Sequence, residues 1–126
     1  MIRVLVIDDE AHVRRLYDDL LTREGFEVIS MACPHKALDI IRTQTPDIIV
    51  LDIELEGDSG LKMIEKYKAE SPDLPIILNS AYSTYMSDFK TWMAEAYIVK
   101  SSDIQPLVDK IRELAGQKRK YEQNRK

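Results

Sequence analysis

A single cysteine, Cys33, stands among the 126 residues, so no internal disulfide can staple the chain and no thiolate cluster can hold a metal. In its apolar and small-residue stretch it reads as a buried packing residue. Only two histidines occur, His12 and His35, too far apart for a zinc set. Four glycines and five prolines are too few for a collagen-like or low-complexity chain. Apolar runs such as Ile48 to Leu51 are far too short to span a bilayer, and Met1-Ile2-Arg3-Val4 lacks the layout of a signal peptide. A reducing cytoplasm is the expected location. Cation excess is missing too: 18 Lys and Arg against 22 Asp and Glu leave a net charge of -4, which argues against direct contact with nucleic acid or a membrane.

What is present is a chain 44% hydrophobic and 32% charged, of a length that makes one domain with one core. Ile2 to Ile7 is a β-branched block that stops at Asp8, Asp9 and Glu10, the look of a buried strand running into a polar loop. From Ala11 to Arg23 the apolar positions Val13, Leu16, Tyr17, Leu20 and Leu21 recur at helical spacing, and Gly25 follows as a C-terminal cap. The alternation then repeats. Strands are expected over Phe26–Met31, Asp47–Leu51, Pro75–Leu78 and Tyr97–Val99, and helices over Pro34–Arg42, Gly60–Ala69, Thr84–Met93 and about Ile104–Leu114.

Five βα units in a row imply an α/β fold in which a doubly wound parallel sheet is covered on both faces, because parallel strands need crossovers and the crossovers supply the layers. Eight units would be needed for a barrel, and the first turn has no glycine for a dinucleotide fingerprint. The expected domain covers residues 1–116. Residues 117–126 form a basic tail, with Lys118, Arg119, Lys120, Arg125 and Lys126 against Glu122 alone, and read as a frayed end of the last helix or a linker stub.

In such sheets the ligand sits at the carboxyl ends of the strands. Strand one delivers Asp8 and Asp9, strand three Asp52 and then Glu54, strand four Asn79 and Ser80, and strand five Lys100 with Ser101 and Ser102. Carboxylates that converge repel one another unless a cation compensates. All-oxygen ligation suits Mg²⁺, with Asp9 and Asp52 as direct ligands, Asp8 acting through water, and a carbonyl after strand three as a further ligand. A carboxylate beside Mg²⁺ can attack a phosphoryl group, and Asp52, on the most buried strand, is the natural nucleophile. Lys100 would bind one phosphoryl oxygen and the Ser80 hydroxyl another. Each of these residues alone is weak evidence, since an acid after an apolar strand is usually a cap or a solvated loop residue. Their joint occurrence on one edge carries the reading.

Five stretches resemble the receiver domain of bacterial two-component response regulators, the CheY-like family, over about residues 2 to 115. They are Val4-Leu5-Val6-Ile7-Asp8-Asp9-Glu10, Pro46-Asp47-Ile48-Ile49-Val50-Leu51-Asp52-Ile53, Gly57 with Gly60-Leu61, Ile76-Ile77-Leu78-Asn79-Ser80-Ala81 and Ala96-Tyr97-Ile98-Val99-Lys100. The resemblance implies a flavodoxin-like fold with strand order 2-1-3-4-5. It further implies that Asp52 takes a phosphoryl group from a histidine kinase's phosphohistidine or a small donor, with Mg²⁺ held by Asp8, Asp9, Asp52 and the Glu54 carbonyl. Ser80 and Tyr97 would be the switch pair, changing the face made by the fourth helix, fifth strand and fifth helix. The implied partners are a sensor histidine kinase or phosphotransfer protein and a downstream protein on that face, with room for a phosphorylation-linked dimer. Such a domain is a phosphoacceptor for signalling rather than an enzyme, since it catalyses only its own phosphorylation and dephosphorylation.

Departures from the family pattern sharpen the expectation. The residue after the lysine is commonly proline with a cis bond before it, whereas here it is Ser101, and a non-proline cis bond would cost about 3 kcal/mol. A displaced lysine would favour the alternative reading, a pseudo-receiver that binds partners without being phosphorylated. The fourth helix, with Tyr82 before it and Tyr85, Met86, Phe89 and Trp92 along it, is unusually aromatic and is expected to be part core and part docking face. Tyr82 would lean over the phosphoryl site and slow dephosphorylation. A phosphatase of the haloacid-dehalogenase type shares the aspartate nucleophile, but neither Asp8-Asp9-Glu10 nor Asp52-Ile53-Glu54 has its Asp-x-Asp spacing.

Overall fold

The computed structural model describes residues 1–53, 60–81 and 93–124. Five strands form one parallel sheet: β1 (Arg3–Ile7), β2 (Glu27–Met31), β3 (Ile48–Asp52), β4 (Ile76–Ser80) and β5 (Ala96–Val99). Among the described residues four helices accompany them, α1 (Ala11–Arg23), α2 (Ala37–Gln44), α3 (Gly60–Glu70) and α4 (Gln105–Asn124). The strand order is β2-β1-β3-β4-β5, as the family resemblance implies. Of the helix expected over Thr84–Met93 all but Met93 lies outside the described residues, as do Tyr82 before it, Tyr85, Met86, Phe89 and Trp92 along it, and Gly57 and Glu54.

Strand alternation sorts the core into two layers. On one face Leu5, Ile7, Ile49, Leu51, Ile76 and Leu78 pack with Ala37 and Ile41 of α2 and Met63, Ile64 and Tyr67 of α3. On the other, Val4, Val6, Ile48, Val50 and Ile77 pack with Tyr17 and Leu21 of α1 and Leu107, Val108, Ile111 and Ala115 of α4. Every residue of β3 is buried, which is why its sequence shows no polar alternation. Burying each such aliphatic side chain contributes about 1.5–3 kcal/mol.

Element ends differ from the sequence expectation in instructive ways. α1 does stop at a glycine: Gly25 has φ +93° and donates to the Thr22 carbonyl. α2 starts at Ala37 rather than Pro34, because the His35 and Lys36 carbonyls are taken by the tight turn N–H groups of Leu38 and Asp39, and the Pro34 carbonyl accepts the buried Tyr67 hydroxyl at 2.6 Å. Cys33 is half-buried rather than fully buried.

The last helix does not end near Leu114; it runs to Asn124. Arg119 holds it down, donating to the Met1 carbonyl at 2.6 Å and to Asp47 Oδ2 at 2.7 Å, while Asp47 Oδ2 also accepts the Arg3 N–H at 2.8 Å. Lys118 and Glu122 add an i,i+4 ion pair. Burial pushes the Asp47 carboxyl up, but Arg119 and the Arg3 N–H outweigh it and hold it below the ordinary carboxylate range. A depressed carboxyl contributes stability that is present above the ordinary value, about 4, and lost as the pH falls through the depressed one. Asp47→Asn should therefore lose about 1 kcal/mol at neutral pH, discounted for the 41% exposure of the Arg119 side chain, and show a flatter acid limb in urea unfolding.

Candidate functional site

The carboxyl ends of β1, β3, β4 and β5 bring the predicted residues to one edge of the sheet. Asp8 follows β1 and stays in the ladder, its N–H donating to the Met31 carbonyl at 3.1 Å. Asp52 closes β3 and Ser80 closes β4, one and two residues further along their strands than the sequence suggests. Asp8 and Asp52 are 1% and 3% exposed, and Asp9 is half-buried. Each of the three offers a carboxylate oxygen within 4.8 Å of the others.

Lys100, the first residue after β5, reaches into this cluster. Its Nζ donates to Asp8 Oδ2 at 2.9 Å and to Asp52 Oδ2 at 3.2 Å. The other Asp8 oxygen accepts the Glu10 N–H at 3.0 Å, so both are engaged. Burial pulls the Lys100 ammonium down, yet its hydrogen bonds and charge contacts with Asp8 and Asp52 prevail and hold it above its ordinary value. The concern raised by Ser101 is answered by geometry. No cis peptide occurs among the described residues, the Lys100 N–H donates to the Ser80 carbonyl at 2.6 Å, and the ammonium still arrives between the two acids. Ser101 ties the loop instead, its hydroxyl accepting the Asp103 N–H, while Asp103 accepts the N–H of Gln105 at the start of α4.

Ser80 is fully buried. Tyr97 is half-buried and packs on the α2–α3 face of the sheet. Leu78 pairs with Tyr97 and Ser80 with Val99, so alternation puts Ser80 and Tyr97 on the same face of adjacent strands, one step apart. Glu54, the fourth predicted metal-ligand position, lies outside the described residues.

Two residues of α1 in this neighbourhood escape a reading by strand ends. Arg14 of α1 donates to the Asp8 carbonyl at 2.7 Å. One turn later Tyr17 accepts a 2.6 Å hydrogen bond from Asn79 Nδ2. Burial pushes the Tyr17 hydroxyl above its ordinary value; the Asn79 bond and Lys100 oppose this, and Asp8 and Asp52 add to it. The signal was a tyrosine inside the apolar stripe of a helix and an asparagine ending an Ile-Ile-Leu strand.

As chemistry, the edge is a set of oxygen donors partly neutralised by one ammonium, with a hydroxyl-bearing residue beside it. Oxygen-only donors at this spacing fit a hard divalent cation such as Mg²⁺. The sequence model of the family described as "Response regulator receiver domain" matches residues 4–112. Among curated relatives, a probable transcriptional regulator ycf27 of Porphyridium aerugineum is 37% identical over 113 residues, covering 87% of this chain and 46% of its own length. Sporulation initiation phosphotransferase F of Bacillus subtilis is 25% identical over 112 residues, covering 87% of this chain and 90% of its own. The chain thus spans about half the length of some curated relatives and nearly all of another. The crystal structure of the response regulator protein TrrA from Thermotoga maritima, in complex with Mg(2+)-BeF, superposes with a TM-score of 0.86 at 38% identity, covering 90% of this chain and 99% of that one. TrrA in complex with histidine kinase ThkA gives a TM-score of 0.84 at 38% identity, covering 90% of this chain and 98% of that one. No helix among the described residues is long and apolar enough to cross a membrane.

Proposed function

Because the chain belongs to the response regulator receiver domain family, we propose that it is a phosphorylatable switch with Asp52 as phosphoacceptor. The observation that carries this reading is the Lys100 ammonium lying between Asp8 and Asp52 beside Asp9. An Asp52 oxygen attacks phosphorus and forms a P–O bond, giving an acyl phosphate. The P–N bond to a kinase histidine, or the P–O bond to acetate in acetyl phosphate, breaks, and the imidazole or acetate leaves with the electron pair. Lys100, already donating to Asp52, is within reach of a phosphoryl oxygen there, and the Ser80 hydroxyl donates to another.

Asp8, Asp9 and Asp52 are the residues that would hold Mg²⁺, with the Glu54 carbonyl completing the protein's share. When bound, the ion neutralises charge on the transferring group. Asp8 is fixed for this by the Glu10 N–H and by Arg14 on its carbonyl. Ser80 and Tyr97 are the proposed switch pair, lying on one face of β4 and β5. Movement of the hydroxyl toward the phosphoryl group would draw the ring inward and alter the face that a downstream partner reads, made by the helix expected over Thr84–Met93, β5 and α4. TrrA's complexes with a histidine kinase and with Mg(2+)-BeF support the same donor class and ion for this chain. The domain proper is proposed to end near residue 116, with the basic stretch 117–126 following it and continuing the last helix as far as Asn124.

Incubation with acetyl phosphate, with and without Mg²⁺, should add one phosphoryl group per chain by intact mass, and only with Mg²⁺. No uptake from acetyl phosphate or from a phosphorylated histidine kinase overturns the reading in favour of a binding module. Mg²⁺ at a hundredfold excess over its Kd should also raise stability by about 2.7 kcal/mol, read as a rise in Tm.

A further inference from the structure

After Ile76, Ile77 and Leu78, β4 carries Asn79, which is 2% exposed. Asn79 pairs in register with Asp52 on one side and Ile98 on the other. Its neighbour in the chain is Ser80, whose carbonyl accepts the Lys100 N–H. This one backbone position therefore borders the nucleophile, the hydroxyl and the strand that ends in the lysine.

Its side chain leaves the sheet on the face opposite Ser80 and meets α1, where Nδ2 donates to the Tyr17 hydroxyl. Asn79 Oδ1 is buried with no hydrogen-bond partner among the described residues. A leucine at this point facing a phenylalanine at position 17 would extend the apolar face and leave no polar atom unsatisfied, so the buried amide–hydroxyl pair is unfavourable for folding and needs another reason. Tyr17 is itself 5% exposed. Arg14, one turn earlier on α1, holds the Asp8 carbonyl. One face of α1 thus grips the end of β1 through Arg14 and the end of β4 through Tyr17. Tyr17, Asn79, Lys100 and Ser101 line one small cavity, so a shift of the pair is felt where the lysine loop begins. That loop has Ser101 rather than a ring-stiffened residue after Lys100, and its aim must come from its neighbours.

We propose that Tyr17 and Asn79 are a positioning pair for phosphoryl transfer at Asp52, their hydrogen bond fixing the end of β4 against α1 so that Lys100 and Ser80 stay aimed at the carboxylate. The inference rests on the proposed function. Neither residue touches the transferring group; each acts through the backbone it holds, and displacements of a fraction of an ångström are enough to slow such a step.

The test uses Tyr17→Phe, Asn79→Leu and the double variant, with phosphoryl uptake from acetyl phosphate followed at saturating donor and Mg²⁺. Each single variant should lower the saturating rate about tenfold, and the double should fall no further than either single. The donor concentration giving half the rate and the Mg²⁺ affinity should stay within about twofold of the parent, a split that general loss of structure would not produce. Rates within about twofold of the parent, or losses that multiply in the double variant, overturn the inference. Should Asn79→Leu fail to fold, Tyr17→Phe, which removes only a hydroxyl, decides the matter alone. A parent that takes up no phosphoryl group brings down the proposed function and this inference with it, whereas an active parent with unaffected variants brings down the inference only.

Discussion

Asp52→Asn is expected to abolish phosphoryl uptake, with a fall of at least about 10⁴-fold, while leaving the protein folded. The substitution keeps the size and planarity of the side chain at the end of β3, and the buried Ile48–Leu51 run that fixes this position is untouched. What disappears is the anionic oxygen that the proposed chemistry uses to attack phosphorus, for which a carboxamide is no substitute. Three acids converge at this edge, two of them on the Lys100 ammonium, so removing one relieves repulsion. The variant should melt no lower than the parent without Mg²⁺, and a gain of about 1 kcal/mol is expected. Intact mass after acetyl phosphate, beside a thermal melt, separates lost chemistry from lost folding. Continued uptake at a parental rate would move the phosphoacceptor to another residue.

Lys100→Met has the second largest expected effect, and it reports on two things at once. Without the ammonium, no donor of this kind meets the phosphoryl oxygens, and uptake should slow by about 10²–10³-fold. The same change leaves Asp8 and Asp52, both nearly fully buried, with no counter-charge from β5. Breaking such a pair should destabilise the metal-free protein by about 2 kcal/mol, less than for a fully buried pair because the lysine side chain is 19% exposed. Added Mg²⁺ should recover most of that loss, so the stability gain on adding Mg²⁺ should be larger in the variant than in the parent. Lys100→Arg should restore charge better than rate, since a planar fork does not fill the place of a point donor. Equal Mg²⁺ responses in parent and Lys100→Met would remove the ammonium from the account of the site.

The edge of acids was legible in the sequence because unbroken apolar blocks such as Val4 to Ile7 and Ile48 to Leu51 end abruptly in carboxylates, and parallel strands put all such ends together. Where side chains leave the strand axis, the reading ran short. Tyr17 counts as apolar by its spacing, and nothing in that spacing says that its hydroxyl finds Asn79, 62 residues later. The end of α4 was misjudged because charge was read as solvation. Lys118, Arg119 and Glu122 are good helix formers, and the fold supplies Asp47 and the Met1 carbonyl as partners that no local window contains. Cys33 shows the opposite error, in which small apolar neighbours suggested a deeper burial than its loop provides.

The position of β1 in the middle of the sheet has a consequence for how the molecule is assembled. The first strand made is flanked by the second and third, on opposite sides, so residues up to Asp52 can close a three-stranded unit before β4 and β5 extend it in one direction. The acids thus come first along the chain, with β1 and β3, and the cation last, after the strand at the far edge, Lys100 standing 92 positions after Asp8. Contacts of such separation wait on the closure of large loops. A chain halted before β5 docks would lack the Lys100 ammonium between Asp8 and Asp52. The full set of side chains at this edge is therefore assembled only once the last strand has docked.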